Sequence, residues 1–332
     1  MTRRERVKAA IAHKTPDKVP VFIHMAPDGL TVYHDALWER YGREDMCRLR
    51  DESKIEYRNA LYYSMGNHVC FLENHPWWWW GELPPAYSAE EAPDFLPEAV
   101  DRGNYEDFAA SVRYLKEYTD AYILVEIWAS DFEKAYNARG IQNFLADMAG
   151  EPEFAKRLLD FITEKNLEKL RQIVATPGID GILLGNDWGS QRDLLMSPET
   201  WRELLAPGAK REYDVIRAAG LDVWVHSCGN IRQIIPDLID MGVDVINPIQ
   251  PECMDIRELK DTFGDRLTFW GGISTQKTLP FGTEEEVEEE TRRVTAYMGQ
   301  NGGYLVAAAQ GVQSDVSFEN LCRLIDTAND IT

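Results

Sequence analysis

Short, nearly unbroken apolar runs recur along the chain. Between them lie longer stretches in which apolar residues return every three or four positions. The runs are VPVFIH (19–24), YILVEIW (122–128), DGILLGND (180–187), LDVWVHSC (221–228), VDVINPI (243–249), RLTFWGGIS (266–274) and GGYLVAAA (302–309). Runs without polar alternation suit parallel strands covered on both faces. A weaker run, NHVCFLE (67–73), fills the gap between the first two. The intervening stretches carry helix start signals. Ser197 stands as an N-cap before Pro198 at the first helical position. Thr283 and Glu286 have capping-box spacing, with acids early and arginines later in TEEEVEEETRRV. Thr2 and Glu5 repeat that signature near the N-terminus. The acidic run reads as a solvated helix face, with a partner patch as the alternative.

Strands alternating with helices leave two architectures, an open doubly wound sheet or a closed (β/α)8 barrel. No G-x-G-x-x-G follows the first run, so a dinucleotide fold gains no support. The strand count favours an α/β fold, a (β/α)8 TIM barrel formed by residues 1–332 as a single domain. Residues 75–120, rich in Trp, Pro and acids, fit poorly as a plain crossover and predict an insertion or lid near the barrel mouth. Within them, HPWWWW (75–80) holds consecutive tryptophans that cannot all face one core in a helix or strand. Trp78 and its neighbours are therefore candidates for an aromatic wall against substrate or for a docking rim. Packing against the barrel rim, or a dimer contact, is the plainer reading.

Charge narrows the function. The chain has 35 Lys and Arg against 56 Asp and Glu, a net of −21. A phosphate backbone is repelled by such a field, which argues against nucleic acid as a partner. No run approaches the roughly 18 apolar residues of a membrane span. The N-terminal MTRRERVKAAIAHK is basic without a hydrophobic signal core. Five scattered cysteines argue against a disulfide framework and fit a reducing cytoplasm, with thiols free to bind metal.

Candidate chemistry concentrates after the fourth apolar run. His226 and Cys228 are two apart on a predicted strand, so both point to one face. At the C-terminal end of a barrel strand that face is the active-site mouth. Imidazole and thiolate are good zinc ligands, and catalytic zinc usually keeps three protein ligands and an open position. H-x-C alone is a weak signal, and packing or a non-metal polar role competes with it. Acids at other strand ends, Glu126 and Asp187, are the candidates to complete a shell or supply a proton. Asp187 has a second reading, as a substrate ligand or an acceptor orienting His226. His24, Trp188, Gln191 and Gln250 fall at predicted mouth positions and are candidates to line the substrate pocket. His68 and His75 read as satisfied polar residues, and Cys253 as a spectator.

Longer segments carry a resemblance. RRERVKAAIAHKTPDKVPV, GNDWGSQRDLLMSPETWRELLAP, HSCGNIRQIIPDLIDMGVDVINPIQ, WGGISTQKTLPFGTEEEV and GGYLVAAAQGVQSDVSFENL are similar to the uroporphyrinogen decarboxylase superfamily, over nearly the whole chain except roughly 60–120. The resemblance implies a (β/α)8 barrel and two branches, the haem-pathway decarboxylase and zinc-dependent methyltransferases working with corrinoid proteins or coenzyme M. The decarboxylase branch requires an arginine-bearing stretch after the first strand; here it reads HMAPDGL (24–30), without arginine. A polycarboxylate would be left unpaired there. The methyltransferase branch implies H-x-C, matched by His226 and Cys228, and a later cysteine. Gln310 stands at that later position, a weak oxygen ligand in place of a thiolate.

The expectation is a cytoplasmic enzyme that moves a methyl group from a small methylated donor, of methyl ether or methylamine type, to a corrinoid protein. Zinc is its expected metal, and a homodimer is compatible with the sequence. The competing readings are a decarboxylase or lyase acting on a smaller acid, and a non-catalytic barrel that has lost a metal ligand.

Overall fold

The computed structural model describes residues 1–73, 77–80, 99–101 and 104–331, with the backbone alone for 78–80 and 99–101. Its strands are β1 (Val69–Glu73), β2 (Trp78–Trp80), β3 (Ala99–Asp101), β4 (Tyr122–Ile127), β5 (Gly181–Gly185), β6 (Asp222–His226), β7 (Val245–Asn247), β8 (Thr268–Ile273) and β9 (Tyr304–Ala308). Each apolar run after the first contains one of them. Every residue of β5, β8 and β9 is buried, as expected of strands without polar alternation.

The first run behaves differently. Residues 19–24 form no continuous strand and meet β9 through two isolated parallel bridges, Val21 to Val306 and Met25 to Val312. The reason is where the backbone donors go. The N–H groups of Val21, Ile23 and Met25 bond to His68 Nδ1 (3.1 Å), Asn67 Oδ1 (3.0 Å) and Tyr62 Oη (3.0 Å). Side chains thus replace a neighbouring strand, and the buried donors are still satisfied. Among the described residues the expected series of eight is therefore continuous at seven strands.

The chain divides into two compact units. The first comprises Met1–Phe71, Ser111–Leu124 and Asp244–Thr332; the second, Leu72–Ala110 and Val125–Val243. In the first unit β7 pairs in parallel with β8, and β8 with β9 from Phe269↔Tyr304 to Ile273↔Ala308. Trp270 anchors this core: its ring stacks on Phe22 at 4.3 Å and its Nε1 donates to Phe22 O at 2.9 Å. His68 is the satisfied polar residue that the sequence suggested, and burial pushes its imidazole down to about 3. In the second unit β5 pairs in parallel with β6, from Gly181↔Asp222 to Gly185↔His226. Helix Ala206–Ala218 packs on β6, and helix Pro152–Val174 packs on that helix and buries Phe154, Leu158, Leu159, Ile162 and Ile173. Each such side chain contributes about 1.5–3 kcal/mol on burial.

The predicted caps are present. Thr2 with Glu5, and Thr283 with Glu286, make both halves of their capping boxes, and Ser197 Oγ accepts from Thr200 N. The helix begun by Pro198 widens into a π turn over Trp201–Leu205 before resuming at Ala206–Ala218. Pro207 supplies the cause, since it has no N–H for the fourth carbonyl back and its ring crowds that carbonyl. Residues 75–120 are more than a crossover. Strands β2 and β3 pair antiparallel, Trp78 opposite Asp101, and a helix follows over Tyr105–Tyr118. Trp77 is buried. The expectations for His75 and for the Trp78 side chain lie outside what is described.

Candidate functional site

The parallel register sets the ends of β5 and β6 side by side, Gly185 opposite His226. One more rung, Asn186 N to His226 O at 2.9 Å, carries the pairing past the strand end. The next residue, Asp187, then faces the turn after β6. Its Oδ1 accepts from Cys228 N at 2.8 Å and lies 3.6 Å from His226 Nε2. Cys228 Sγ is 3.4 Å from the same nitrogen. The three ligand atoms all lie within 4.8 Å of one another, with His226 buried and the other two half-buried.

Two loops must touch for this to happen, and glycine permits it. A Cβ on Gly229, at φ +85°, would come within 2.5 Å of Gly189 C and Ser190 O. A Cβ on Gly189 would meet Cys228 O at 2.6 Å. Positive φ and backbone contact both exclude a side chain there. Asn230 N to Ser190 O (2.7 Å) and Trp188 N to Ser227 Oγ (3.0 Å) close the junction.

The donor set fits a divalent cation. Zinc bond lengths of about 2.0–2.3 Å give tetrahedral edges of about 3.3–3.8 Å. The separations of His226 Nε2 from Cys228 Sγ and from Asp187 Oδ1, 3.4 and 3.6 Å, fall in that range. Nitrogen, sulfur and oxygen together suit zinc among common ions. The structure thus brings Asp187 to His226 and Cys228.

A second layer escaped the sequence reading. Ser130 N donates to Gly185 O at 2.8 Å, and Asn186 Nδ2 to Asp131 Oδ1 at 2.7 Å. Glu212, fully enclosed, accepts from Ser130 Oγ (2.6 Å) and Asn166 Nδ2 (2.5 Å). Burial pushes the Asp131 and Glu212 carboxyls up, and Asp131 adds repulsion at Glu212. Lys134, also buried, donates to Ala129 O. Glu133 is pushed up to about 7, first by burial and then by the Asp187 charge. Its Oε1 accepts from Tyr136 Oη at 2.8 Å, and its buried Oε2 has no hydrogen-bond partner among the described residues. The signal was present as SDFEK (130–134), acids directly after a predicted strand, where barrel enzymes place chemistry.

The other expected residues have surroundings of their own. Glu126 is the one half-buried residue of β4. Trp188 is fully buried, edge-on to Trp201 at 5.4 Å. Gln191 is exposed in the loop after β5. His24, Gln250 and Gln310 lie in the first unit. There His24 tilts against Trp270 at 5.2 Å, Gln250 Oε1 accepts from Cys253 Sγ at 3.5 Å, and Gln310 Oε1 from Gly311 N at 2.9 Å. Trp128, not singled out from sequence, is 37% exposed with its ring 5.1 Å from that of His226.

Comparison with known proteins adds the fold and the family. A methyltransferase from Methanosarcina mazei is similar over 99% of both chains, with a TM-score of 0.72 and 18% identity. A β-mannanase from the blue mussel Mytilus edulis reaches a TM-score of 0.50 at 11% identity, over 94% of this chain and 92% of its own. At such identities the likeness concerns the fold, an α/β barrel-like arrangement of parallel strands and helices. No helix among the described residues is long and apolar enough to cross a membrane. None of the curated proteins matches the chain in sequence. The family model described as uroporphyrinogen decarboxylase (URO-D) matches residues 84–331, about three quarters of the sequence. The chain therefore belongs to the uroporphyrinogen decarboxylase (URO-D) family.

Proposed function

We propose that the protein is a metal-assisted methyltransferase, moving a methyl group from a small methylated donor, of methyl ether or methylamine type, to a corrinoid protein. The observation that carries this reading is the convergence of His226 Nε2, Cys228 Sγ and Asp187 Oδ1. The URO-D family and the methyltransferase from Methanosarcina mazei support it. Three protein donors leave a position free for a substrate atom.

His226, Cys228 and Asp187 would hold a divalent cation, which would supply Lewis acidity when bound. The chain's own residues do the rest. Cys228 N donates to Asp187 Oδ1 and fixes that carboxylate's orientation. Asn186, held by Asp131, steadies the backbone from which Asp187 projects. Burial disfavours the ionised form of Glu133 and so lets it hold a proton near neutrality. In this reading it takes the acid's role, with Glu126 as the second candidate. Protonation of the departing heteroatom answers the poor leaving group of an ether or amine.

Purified protein should hold about one zinc per chain, lost in His226→Ala. It should demethylate a donor only with a corrinoid protein present. Carbon dioxide release from a small acid without any corrinoid would instead establish the decarboxylase reading.

A further inference from the structure

One face of the first unit departs from the charge pairing around it. Helix Glu284–Met298 places Glu288 and Glu289 four residues before Arg292 and Arg293, the spacing at which acid and base meet on a helix. Arg292 uses it, reaching Glu288 at 2.9 Å and also Asp330 at 2.9 Å. Arg323 likewise holds Glu284 and Glu288. Arg293 and Glu289 do not pair, and neither side chain makes an ion pair or hydrogen bond among the described residues. The Lys277 ammonium is free in the same sense. All three line one cavity of about 570 Å³, together with Phe281.

Phe281 is 83% exposed, more than any other large apolar side chain among the described residues. A lone exposed apolar residue is ordinary on a surface. This one sits on a backbone that is pinned from within. Leu279, fully buried, anchors the short helix Thr278–Phe281. Gly282 N donates to Thr278 O at 2.8 Å, and Asn320 Nδ2 to Leu279 O at 3.0 Å and Gly282 O at 2.9 Å. An aromatic ring on a fixed backbone loses little freedom when it is covered, which suits it as an interface anchor.

The charges say what covers it. The cavity is lined by the bases Lys277 and Arg293 and by the acids Glu286, Glu289 and Glu290. Glu286 accepts from Thr283 N at 2.8 Å and Glu290 from Ser274 N at 3.2 Å, so Glu289 is the acid left without a partner. A simple anion meets three carboxylates there, and a simple cation meets two bases. A face offering an apolar anchor, a cavity, free bases and a free acid is complementary to itself. Two-fold association needs that property, because the same patch serves on both copies. We propose that this face is an isologous contact between two copies of the chain, each seating Phe281 in the other's cavity and pairing Arg293 with Glu289 across the two-fold axis. The contact stands apart from the methyl-transfer reading. Molecules carrying −21 each repel at long range, so association needs salt, which cuts the Debye length to about 8 Å at 0.15 M.

Sedimentation velocity of the full-length protein at about 150 mM salt, from about 1 to 100 μM, tests this. Wild type should form a dimer within that range. Phe281→Ser should weaken association by about tenfold or more. Glu289→Arg and Arg293→Glu should each weaken it by about tenfold, because like charges then meet. The double variant restores opposite charges and should return to within about threefold of wild type. Bulk charge alone predicts a different pattern, since Glu289→Arg makes the chain less negative and would strengthen association. All three residues are exposed, so circular dichroism of every variant should match wild type. A dimer indifferent to Phe281→Ser, stronger association in Glu289→Arg, or a double variant no better than the single ones would overturn the proposal. A monomer at every concentration would overturn it too, and leave the face to a different partner.

Discussion

Asp187 carries more of the account than its sequence context suggests. On its own, Asp in GNDWG is one strand-end acid among several. In the structure it lies 3.6 Å from His226 Nε2 and takes a hydrogen bond from Cys228 N. Asp187→Ala should therefore lower zinc affinity by at least tenfold, measured by competition with a chromophoric chelator, because a three-donor shell loses its only carboxylate. Glu133 makes a different prediction, one of pH. Its carboxyl is raised to about 7, from the ordinary glutamate value of about 4.5. Between those values the folded state holds a proton that the unfolded state has released, so stability falls as pH rises through the window. In metal-free protein Glu133→Gln should lessen that dependence by one proton's share, Asp131 and Glu212 supplying the rest, and stabilise the fold above pH 7 by about 1–3 kcal/mol. Denaturant titrations at pH 5 and pH 8 check it. A wild-type slope retained in the variant would assign the titration elsewhere.

At the scale of elements, the pairing of β5 with β6 is only as useful as the loops that extend it. Gly229 at φ +85°, packed on the backbone of Gly189 and Ser190, is the point at which they meet. Gly229→Ala should cost about 1–3 kcal/mol and release bound zinc, because it strains φ and parts the loops. A melting curve and a metal assay on the same sample report both. The run at 19–25 is governed by its side-chain partners. Asn67→Ala removes the acceptor of Ile23 N and the donor to Ile23 O together. Two buried backbone groups then lack partners, for an expected loss of about 2–4 kcal/mol.

These elements also show what was legible in the sequence and why the rest was not. The apolar runs after the first read correctly as strands because burial on both faces leaves no polar alternation. The capping boxes of Thr2 and Thr283 were readable because the signal is local. H-x-C was readable because two residues apart on a strand share a face. Asp187's role was not fixed by sequence, since it depends on register between strands 41 residues apart. Trp188 was expected to line the pocket because it adjoins Asp187; sequence alone did not show that its buried ring meets Trp201 edge-on. Ser130, Asp131, Glu133 and Glu212 converge from distant segments, and no local pattern announces a buried polar network.

At the scale of the whole molecule, the net charge of −21 sets the background against which these sites work. Self-repulsion at that charge lowers stability at low ionic strength. The melting temperature should rise between 10 mM and 500 mM salt, across which the Debye length shrinks from about 30 Å to a few Å. A flat or falling profile would show that paired surface charges, such as Arg323 with Glu284 and Glu288, already offset the excess. The same field favours a docking partner whose contact face is basic. The centre of the account, though, is the cation held by His226, Cys228 and Asp187. X-ray absorption at the zinc edge of the purified protein tests it most directly. The expected spectrum has one sulfur near about 2.3 Å and nitrogen and oxygen near about 2.0–2.1 Å. A metal shell without sulfur, or a protein that takes up no metal, would contradict it.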